Sequence, residues 1–374
     1  MTVPYYEPTL AGRERQYLDE VLSAKQLAGD GRFTKACHAV IEEKTGTHKA
    51  LLTHSGTGAL DMIGLLLEIQ PGDEVIIPTY TFVSSANAIA LRGGVPIFVD
   101  IRADTLNLNE ALIEAAITPK TRAIMPVHYA GISCEMDTIL AIAKKHDLIV
   151  VEDAAQGYGA TYKGKPLGTL GALAALSFHA SKNVIAGEGG ALLVNDPAYR
   201  LRAEIVREKG TNRAQFFRGE IDKYTWVDLG SSFLPSEIVA ALLLAQLEEA
   251  DSINERRIAL WESYHSALAP LEARGLARRA VVPNACRHNG HIYWLVFESG
   301  DLRAKARDLL LAEGITASAH FAPLHNSPAG KRFGRTGSDM QVAEHAGDGL
   351  LRMPLFAHME PDVIGQVADV LKKL

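Results

Sequence analysis

Short apolar runs alternate with helical patterns between about Thr53 and Asp196, and this alternation limits the possible folds more than any other feature. In the stretch 136–146, for example, apolar residues recur at intervals of three and four. Strands that alternate with helices predict βαβ units and a mostly parallel sheet with helices on both faces. Ligands of such sheets gather at the carboxyl ends of strands, so residues that follow a strand are candidate site residues. The predicted strands are 74–77, 95–99, 123–127, 148–151, 174–178 and 191–194.

The sequence after this region predicts a second unit. A charge-rich stretch, 198–228, is followed by a long helical segment, 235–268, that contains few helix-breaking residues. A predicted strand, 292–297, and a predicted helix, 302–313, which ends at Gly314, come next. The chain therefore returns to mixed α/β structure after the long helix.

The length of 374 residues suits a large α/β domain with a smaller companion. We predict a large domain over residues 12–248 and a small α/β domain over residues 249–374. Residues 1–11 are predicted to form an N-terminal extension.

Composition and charge exclude several classes of protein. Hydrophobic residues make up 47% of the chain and charged residues 22%, as in globular proteins with a substantial core. No apolar run approaches the roughly 20 residues that span a bilayer, and the first residues lack the pattern of a secretory signal. We therefore expect a cytoplasmic protein with no membrane partner. The net charge of −6 argues against binding to nucleic acid.

Neither cysteine nor histidine spacing predicts a metal site. The cysteines, Cys37, Cys134 and Cys286, are far apart and odd in number, so they predict neither a disulfide framework nor a zinc site. The densest histidine cluster is His288-Asn289-Gly290-His291, and no HExxH or paired CxxC motif accompanies it.

An aspartate and a lysine follow two of the predicted strands. Asp153 ends the run that begins at Leu148, and Lys182 lies in a polar loop between the last two strands. A lysine that can form a Schiff base and an aspartate that can pair with a pyridine nitrogen are what pyridoxal phosphate chemistry requires. The alternative is a solvated lysine and a turn-forming aspartate, which is the more frequent role of either residue alone.

A small-residue loop precedes a predicted helix near the start of the alternating region. Ser55-Gly56-Thr57-Gly58 leads into the apolar run 62–67, so free backbone N–H groups and a helix dipole could bind a phosphate there. Simple capping of the helix by Ser55 or Thr57 is the alternative. The third residue after Gly58 is Asp61, so the loop lacks the dinucleotide fingerprint, which disfavours a nicotinamide oxidoreductase.

Two further motifs need an interpretation. The segment 159–166 begins like a Walker A loop, but Pro166 stands where that motif needs serine or threonine, so we reject a nucleotide triphosphatase.

Phe82 follows the first predicted strand and could stack on a flat cofactor, with core packing as the alternative.

Taken in order, these motifs resemble the DegT/DnrJ/StrS family of sugar-nucleotide aminotransferases, which are fold-type-I pyridoxal phosphate enzymes. The resemblance covers nearly the whole chain and implies a mostly parallel mixed sheet between helices, with a smaller C-terminal α/β domain. The motifs are Ser55-Gly56-Thr57, Thr81-Phe82, Glu152-Asp153-Ala154-Ala155-Gln156, Ser177-Phe178-His179, Lys182-Asn183, Gly187-Glu188-Gly189-Gly190, His320-Phe321-Ala322-Pro323-Leu324-His325 and Leu350-Leu351-Arg352-Met353-Pro354-Leu355.

The resemblance implies a role for each cofactor-binding residue. Lys182 would form the Schiff base with pyridoxal 5'-phosphate and act as the catalytic residue, and Asp153 would keep the pyridine nitrogen protonated. Gln156 would bond a polar substituent of the ring, and Phe82 would cover one face. The groups implied for the phosphate are Ser55, Gly56, Thr57, Ser177 and, from the second subunit of a homodimer, Ser232. Many family members carry Tyr-Asn where this chain has Ser231-Ser232.

Within the family, the stretches 207–213 and 229–232 resemble the enzymes that form TDP-4-amino-4,6-dideoxygalactose. This implies TDP-4-keto-6-deoxyglucose as the acceptor and L-glutamate as the amino donor, with surface-glycan synthesis as the expected context. Arg213 is the predicted contact for the diphosphate, with Lys209 behind it, and Glu188 and His320 are predicted sugar contacts.

Three alternatives stay open from the sequence. A transaminase could act at C3 of the sugar or give the gluco epimer, and a protein of another class could bind the sugar nucleotide without catalysis. A dehydratase of the same fold is disfavoured because such enzymes replace the Schiff-base lysine by histidine, whereas Lys182 is present.

Overall fold

A computed structural model describes residues 2–374 of the chain. The helices are α1 (Glu14–Ala24), α2 (Arg32–Thr45), α3 (Gly56–Leu66), α4 (Val83–Ala90), α5 (Ile113–Ala116), α6 (Met136–Lys145), α7 (Arg200–Arg207), α8 (Arg213–Phe217), α9 (Glu237–Glu248), α10 (Ala250–Ala267), α11 (Ala269–Ala273), α12 (Gly300–Ala312), α13 (Pro328–Phe333), α14 (Gln341–Gly349) and α15 (Asp362–Leu371). The strands are β1 (Lys49–Thr53), β2 (Glu74–Pro78), β3 (Val95–Val99), β4 (Thr121–Ile124), β5 (Ile149–Asp153), β6 (Thr161–Tyr162), β7 (Lys165–Pro166), β8 (Leu173–Ser177), β9 (Gly190–Val194), β10 (Ala277–Arg279), β11 (Cys286–Arg287), β12 (Tyr293–Phe297), β13 (Arg335–Thr336) and β14 (Leu350–Met353).

The main sheet has eight strands in the order β1-β9-β8-β5-β4-β2-β3-β13. Strands β8, β5, β4, β2, β3 and β13 run parallel to one another, whereas β9 is antiparallel to both β1 and β8. Strands such as β2 and β9 are buried at every position, because helices cover both faces of the sheet. The predicted fold class, a mostly parallel mixed sheet between helices, is confirmed.

Two helical layers provide the cover. On one face α3 lies against β8 and β9, and α4 and α7 pack on α3. On the other face α2 packs on β1 and on α9, which also contacts α1. Helix α3 is apolar around most of its circumference because it lies between the sheet and further helices.

The C-terminal part forms a second sheet of three antiparallel strands in the order β10-β12-β14. Its core joins β12 and β14 to helices α10, α12, α14 and α15. One short strand from this part of the chain, β13, extends the edge of the main sheet next to β3. The proposed division between residues 248 and 249 stays a prediction.

Some predicted element bounds were wrong. The helical segment 235–268 is two helices, because Glu249 has φ −104° and ψ 8° and separates α9 from α10. The predicted strand 123–127 ends at Ile124, just before Pro126, which has no N–H to offer a ladder. Strand β5 continues to Asp153, so this aspartate is the last residue of the strand itself.

No helix among residues 2–374 combines the length and the apolar character that crossing a bilayer would need.

Candidate active site

Lys182 lies in the loop that connects β8 to β9, with its side chain turned into the protein. Its backbone N–H donates to the carbonyl of His179 at 2.8 Å, which closes a tight turn. The lysine lines a small cavity together with Gln156, Ser177 and His291. Burial lowers the pKa of the Lys182 amine to about 8, although the negative charge of Asp153 opposes this shift. Roughly a tenth of these amines is therefore uncharged and nucleophilic at pH 7, far more than for an ordinary lysine with a pKa of 10.5.

Asp153 ends β5, the strand next to β8, and is only 4% exposed. Its Oδ2 accepts a hydrogen bond from Ser85 Oγ at 2.7 Å, and its Oδ1 accepts one from the N–H of Ala155 at 3.1 Å. A carboxylate has about four acceptor positions, so Asp153 keeps capacity for a further donor. The structure thus brings together the two residues that the sequence selected, since the charge of Asp153 acts directly on Lys182.

The predicted phosphate loop meets the end of β8. Ser55 caps α3 by accepting from the N–H of Gly58 at 3.0 Å. A side chain on Gly56 would approach Ser177 Cβ to 2.8 Å, so glycine allows the helix to begin close to this serine. Thr57 Oγ1 bonds Ser84 Oγ at 2.7 Å. Ser177 also lines the cavity of Lys182, and the N-terminus of the 11-residue helix α3 therefore lies close to that cavity.

Two residues predicted to bind a ring lie near these groups. Gln156 Oε1 accepts from the backbone N–H of Ala130 at 2.7 Å, which leaves the amide nitrogen as its available donor. Phe82 precedes α4 and is 57% exposed, with Phe321 as an aromatic neighbour at a centroid distance of 6.1 Å. The ring of Phe82 is thus not packed in the core, and its predicted stacking on a cofactor stays a prediction.

These residues fit pyridoxal phosphate. The cofactor needs an amine of lowered pKa, a carboxylate for a protonated ring nitrogen, an aromatic cover and a site for a dianionic phosphate. Lys182, Asp153, Phe82 and the N-terminus of α3 have these properties.

The predicted substrate residues lie outside the lining of this cavity. Arg213 and Lys209 both pair with the buried Glu208, at 3.3 and 3.2 Å, and each is about half exposed. Glu188 is largely exposed, and its Oε1 lies 3.6 Å from His179 Nε2. His320, in contrast, is largely buried, and burial lowers its pKa to about 3. Ser232, predicted to act on a second subunit, is exposed.

Sequence reasoning missed several residues of the site. Ser85 orients Asp153, and no local signal pointed to it. The His291 ring bonds Asn183 Oδ1 at 2.9 Å, while the Asn183 amide donates to Asn254 and to the carbonyl of Asn289, both at 2.8 Å. A buried arginine, Arg352, also acts on the charge of Lys182. Its position in the otherwise apolar run 350–353 was the available signal.

Another cavity, of about 730 Å³, lies elsewhere. Trp261, His265 and His288 line it, and none of the predicted site residues does. No group of three or more metal-ligating side chains is arranged for a metal ion among residues 2–374.

A buried lysine beside an aspartate at the end of a parallel strand defines the class: an α/β enzyme that uses pyridoxal phosphate. The chain belongs to the DegT/DnrJ/EryC1/StrS aminotransferase family, whose model matches residues 8–372. The predicted family and the predicted class of pyridoxal-phosphate-dependent transaminase are therefore confirmed.

Curated and solved relatives agree with this assignment. The chain is 33% identical to GDP-perosamine synthase of Caulobacter vibrioides over 98% of this chain and 96% of that protein. It is 31% identical to DesV of S. venezuelae, solved in complex with a ketimine intermediate, with a TM-score of 0.90 over 100% of this chain and 98% of that one. Spr1654 of Streptococcus pneumoniae in its PLP form has a TM-score of 0.90 at 27% identity and covers 100% and 99% of the two chains. The predicted cofactor is confirmed.

Proposed function

We propose that this protein transfers the amino group of L-glutamate to C4 of TDP-4-keto-6-deoxy-D-glucose, giving TDP-4-amino-4,6-dideoxy-D-galactose. The observation that carries the proposal is the buried Lys182 amine, with a pKa near 8, beside Asp153. The choice of sugar nucleotide rests on the resemblance of stretches 207–213 and 229–232 to one branch of the family.

The chemistry divides between cofactor and protein. Pyridoxal phosphate, when bound, supplies an aldehyde that condenses with amines and a ring that withdraws electrons from the carbon that loses its proton. The uncharged Lys182 Nζ would take the proton from the α-carbon of glutamate, and the resulting ammonium group would deliver it to the former aldehyde carbon of the cofactor. An amine with a pKa near 8 can exchange protons in both directions near neutral pH. Asp153 holds the proton on the ring nitrogen.

The phosphate of the cofactor is proposed to bind at the N-terminus of α3, and two further side chains are proposed to contact its ring. The N–H groups of Gly56 and Thr57, with the hydroxyls of Ser55 and Ser177, bind the phosphate in our proposal. Phe82 covers one ring face, and the Gln156 amide donates to a ring substituent.

Two cations are proposed for the diphosphate of the sugar nucleotide. Arg213 and Lys209 share one carboxylate, Glu208, so their combined charge exceeds that of their partner. Both are exposed enough to bind a dianion. Glu188 and His320 are the proposed sugar contacts.

We propose a homodimer because a run of large apolar side chains is exposed beside these cations. Phe217, Trp226 and Leu229 are 68%, 73% and 52% exposed. Large apolar side chains exposed within one short segment of chain favour an interface, and the exposed Ser232 follows them closely in sequence. A second copy is the proposed occupant, since Ser232 is proposed to complete the phosphate site of that copy. The cytoplasmic location and the domain division also stay proposals.

A GDP-linked keto sugar is the second candidate for the acceptor. Two curated relatives, from Caulobacter vibrioides and Escherichia coli O157:H7, are named GDP-perosamine synthase and are 33% and 31% identical to this chain. Another relative, SpsC of Bacillus subtilis, is named for spore coat polysaccharide biosynthesis, which agrees with a surface-glycan context.

The test is to incubate the pyridoxal-phosphate-loaded protein with L-glutamate and either TDP-4-keto-6-deoxy-D-glucose or its GDP counterpart. We expect 2-oxoglutarate to form and NMR of the product to show an axial amine at C4 of the TDP sugar. A higher kcat/KM with the GDP sugar would favour the second candidate. An amine at C3, or an equatorial amine at C4, would instead identify one of the alternative transaminases. Binding of the sugar nucleotide with no turnover would indicate a silent regulator.

The dimer has a separate test. Lys182→Ala and Ser232→Asp variants, each of low activity alone, should regain activity when their subunits are mixed, because one site per hybrid dimer lacks both defects. Trp226→Ser should shift the sedimentation coefficient toward the monomer, whereas Leu311→Ser, which alters an exposed leucine on α12, should not. Full activity of a sedimenting monomer would refute the proposed dimer.

A further inference from the structure

Two buried arginines near the site differ in their partners. The guanidinium of Arg257 donates to the carbonyl oxygens of Gly290, His291 and Leu355 at 3.1, 2.6 and 3.1 Å. Arg352 is 5% exposed, yet its buried Nε has no hydrogen-bond partner among residues 2–374. No carboxylate in the described chain pairs with it either, and the ring of Tyr5 lies 5.1 Å from the guanidinium carbon.

A buried guanidinium without an acceptor is costly. Moving a charge out of water is unfavourable unless an opposite charge or several dipoles replace the water. Arg257 meets this requirement with three carbonyl groups, so its role is structural. Arg352 does not meet it with protein atoms, and burial accordingly lowers its pKa. The Tyr5 ring covers only one face of the group and leaves the in-plane N–H donors available.

The position of Arg352 relates it to the reacting amine. It lies on β14 opposite Trp294, and the backbone of Ser318, just before His320, pairs with it on the other side. The positive charge of Arg352 acts on both Lys182 and His320, so the three side chains share one buried region. His320 Nδ1 is likewise buried and unpaired among the described residues.

We propose that the guanidinium of Arg352 binds the α-carboxylate of the amino donor. The α-carboxylate is attached to the carbon that bears the reacting amine, so a donor that reaches Lys182 must bring this anion into the same region. Guanidinium offers two parallel N–H groups that match a carboxylate, and the pairing would remove the cost of the unpaired charge. The exposed Arg213 and Lys209 are better suited to a diphosphate that extends to the surface.

This inference rests on the proposed aminotransferase function and deepens it. The first measurement uses the pyridoxal-phosphate-loaded protein and 2-methylglutamate, which keeps the α-carboxylate but has no α-proton to lose. Its dissociation constant follows from an absorbance titration and needs no turnover. The second measurement is the single-turnover reaction with glutamate, with glutamine, which lacks the γ-charge, and with 4-aminobutyrate, which lacks the α-carboxylate.

The variants are Arg352→Gln, Arg352→Lys and, as a matched control, Arg278→Gln. Arg278 is a partly buried arginine of the same small sheet, on β10, with unpaired nitrogens, and it is not one of the charges that shift the pKa of Lys182. We expect Arg352→Gln to weaken the binding of 2-methylglutamate, glutamate and glutamine by at least about 30-fold. This is the effect of removing one partner of a buried ion pair. Arg352→Lys should fall between the wild type and Arg352→Gln because it keeps the charge but loses the fork. The single-turnover reaction of Arg352→Gln with 4-aminobutyrate should change by no more than about threefold. The dissociation constant of 2-methylglutamate for Arg278→Gln should also change by no more than about threefold.

Other outcomes would overturn the assignment. Unchanged dissociation constants would place Arg352 outside the donor site. An increase in the KM of the sugar nucleotide alone would lead to the same conclusion. Weaker binding of glutamate but not of glutamine would indicate that Arg352 binds the γ-carboxylate instead. A structural role predicts a lower melting temperature for both Arg352 variants, whereas a ligand-binding role predicts no decrease. Failure of every keto sugar as acceptor would refute the proposed function instead, because the donor measurements do not use one.

Discussion

Two adjacent carboxylates at the end of β5 face opposite sides of the main sheet and have different surroundings. Glu152 is fully buried and accepts from the N–H groups of Gly168, Leu170 and Gly171 at 2.9, 2.7 and 2.6 Å, and from His128 Nε2 at 2.8 Å. Asp153 accepts from only two side-chain or backbone donors. Both are acidic, both are buried, and one peptide bond separates them.

The difference shows how a strand end can serve the fold and the site at once. Glu152 has four donors for about four acceptor positions, so it ties the loop 168–171 to the sheet and has no capacity for a ligand. Since His128 Nδ1 accepts from the N–H of Cys134 at 3.2 Å, its other nitrogen must donate to Glu152. Asp153, with unused acceptor positions next to the Lys182 amine, is suited to bind a cationic group.

The largest effect is expected at the lysine on the Asp153 side. Lys182→Ala should reduce amino transfer by at least about 10⁴-fold, because it removes both the group proposed to bind the cofactor and the proposed proton carrier. Circular dichroism should report an unchanged fold, since the amine makes no hydrogen bond that the structure relies on. Steady-state formation of 2-oxoglutarate measures the loss, and turnover close to the wild type would disprove the role of this lysine.

Asp153→Asn should reduce activity by roughly 10²- to 10³-fold, because a neutral amide lacks the negative charge that stabilises a protonated ring nitrogen. The asparagine oxygen can still accept from Ser85, so the melting temperature should change little. Kinetics and thermal unfolding are measured on the same preparation. A large loss of stability with unchanged kcat would show that Asp153 resembles Glu152 after all.

Glu152→Gln is expected to give the opposite result. The amide NH₂ would face N–H donors, so the free energy of unfolding should fall by about 3 kcal/mol. Urea unfolding measures this change, with Glu43→Gln on the exposed face of α2 as the control. The folded fraction should keep a kcat within about threefold of the wild type at a temperature well below its transition. Loss of kcat without loss of stability would contradict the distinction between the two carboxylates.

The pH dependence of stability tests the burial of the lysine. In the cofactor-free protein the pKa of Lys182 is about 8, below its ordinary 10.5, so the unfolded chain binds more protons between these two values. Stability should therefore rise as the pH increases from about 8 to 10.5, by roughly 2–4 kcal/mol from this group. Urea midpoints of the wild type and Lys182→Ala should converge over this range. A constant difference between them would show that the lysine has an ordinary pKa.

Local pattern predicted much of the fold. Buried strands such as β3 read as continuous apolar runs, and their alternation with helices set the class of the main sheet. The break at Glu249 was not predictable, because neither glycine nor proline marks it and long-range packing decides where α10 begins. The attachment of β13 to β3 was missed for the same reason, since the two strands are far apart in sequence.

The site was predictable where a residue follows its own strand. Asp153 and the Ser55 loop were found in this way, because strand ends and helix starts are local signals. Ser85 was not, since its partner lies 68 residues away and serine has many ordinary roles. Arg352 lies within a short apolar run, and only its lack of an acceptor in three dimensions distinguishes it from a structural arginine such as Arg257.

The smallest effect on activity is expected from removing the hydroxyl of Ser85, which donates a hydrogen bond to Asp153. Ser85→Ala removes one hydrogen bond to the Asp153 carboxylate, which is buried, and a hydrogen bond to a charged group contributes about 1.5–3 kcal/mol. Because the N–H of Ala155 still holds the other oxygen, we expect only a fivefold to tenfold fall in kcat/KM, roughly 1 kcal/mol. Ser263→Ala, which removes an exposed hydroxyl on α10, is the control. A decrease as large as that of Asp153→Asn would mean that the serine, rather than the strand end, positions the carboxylate.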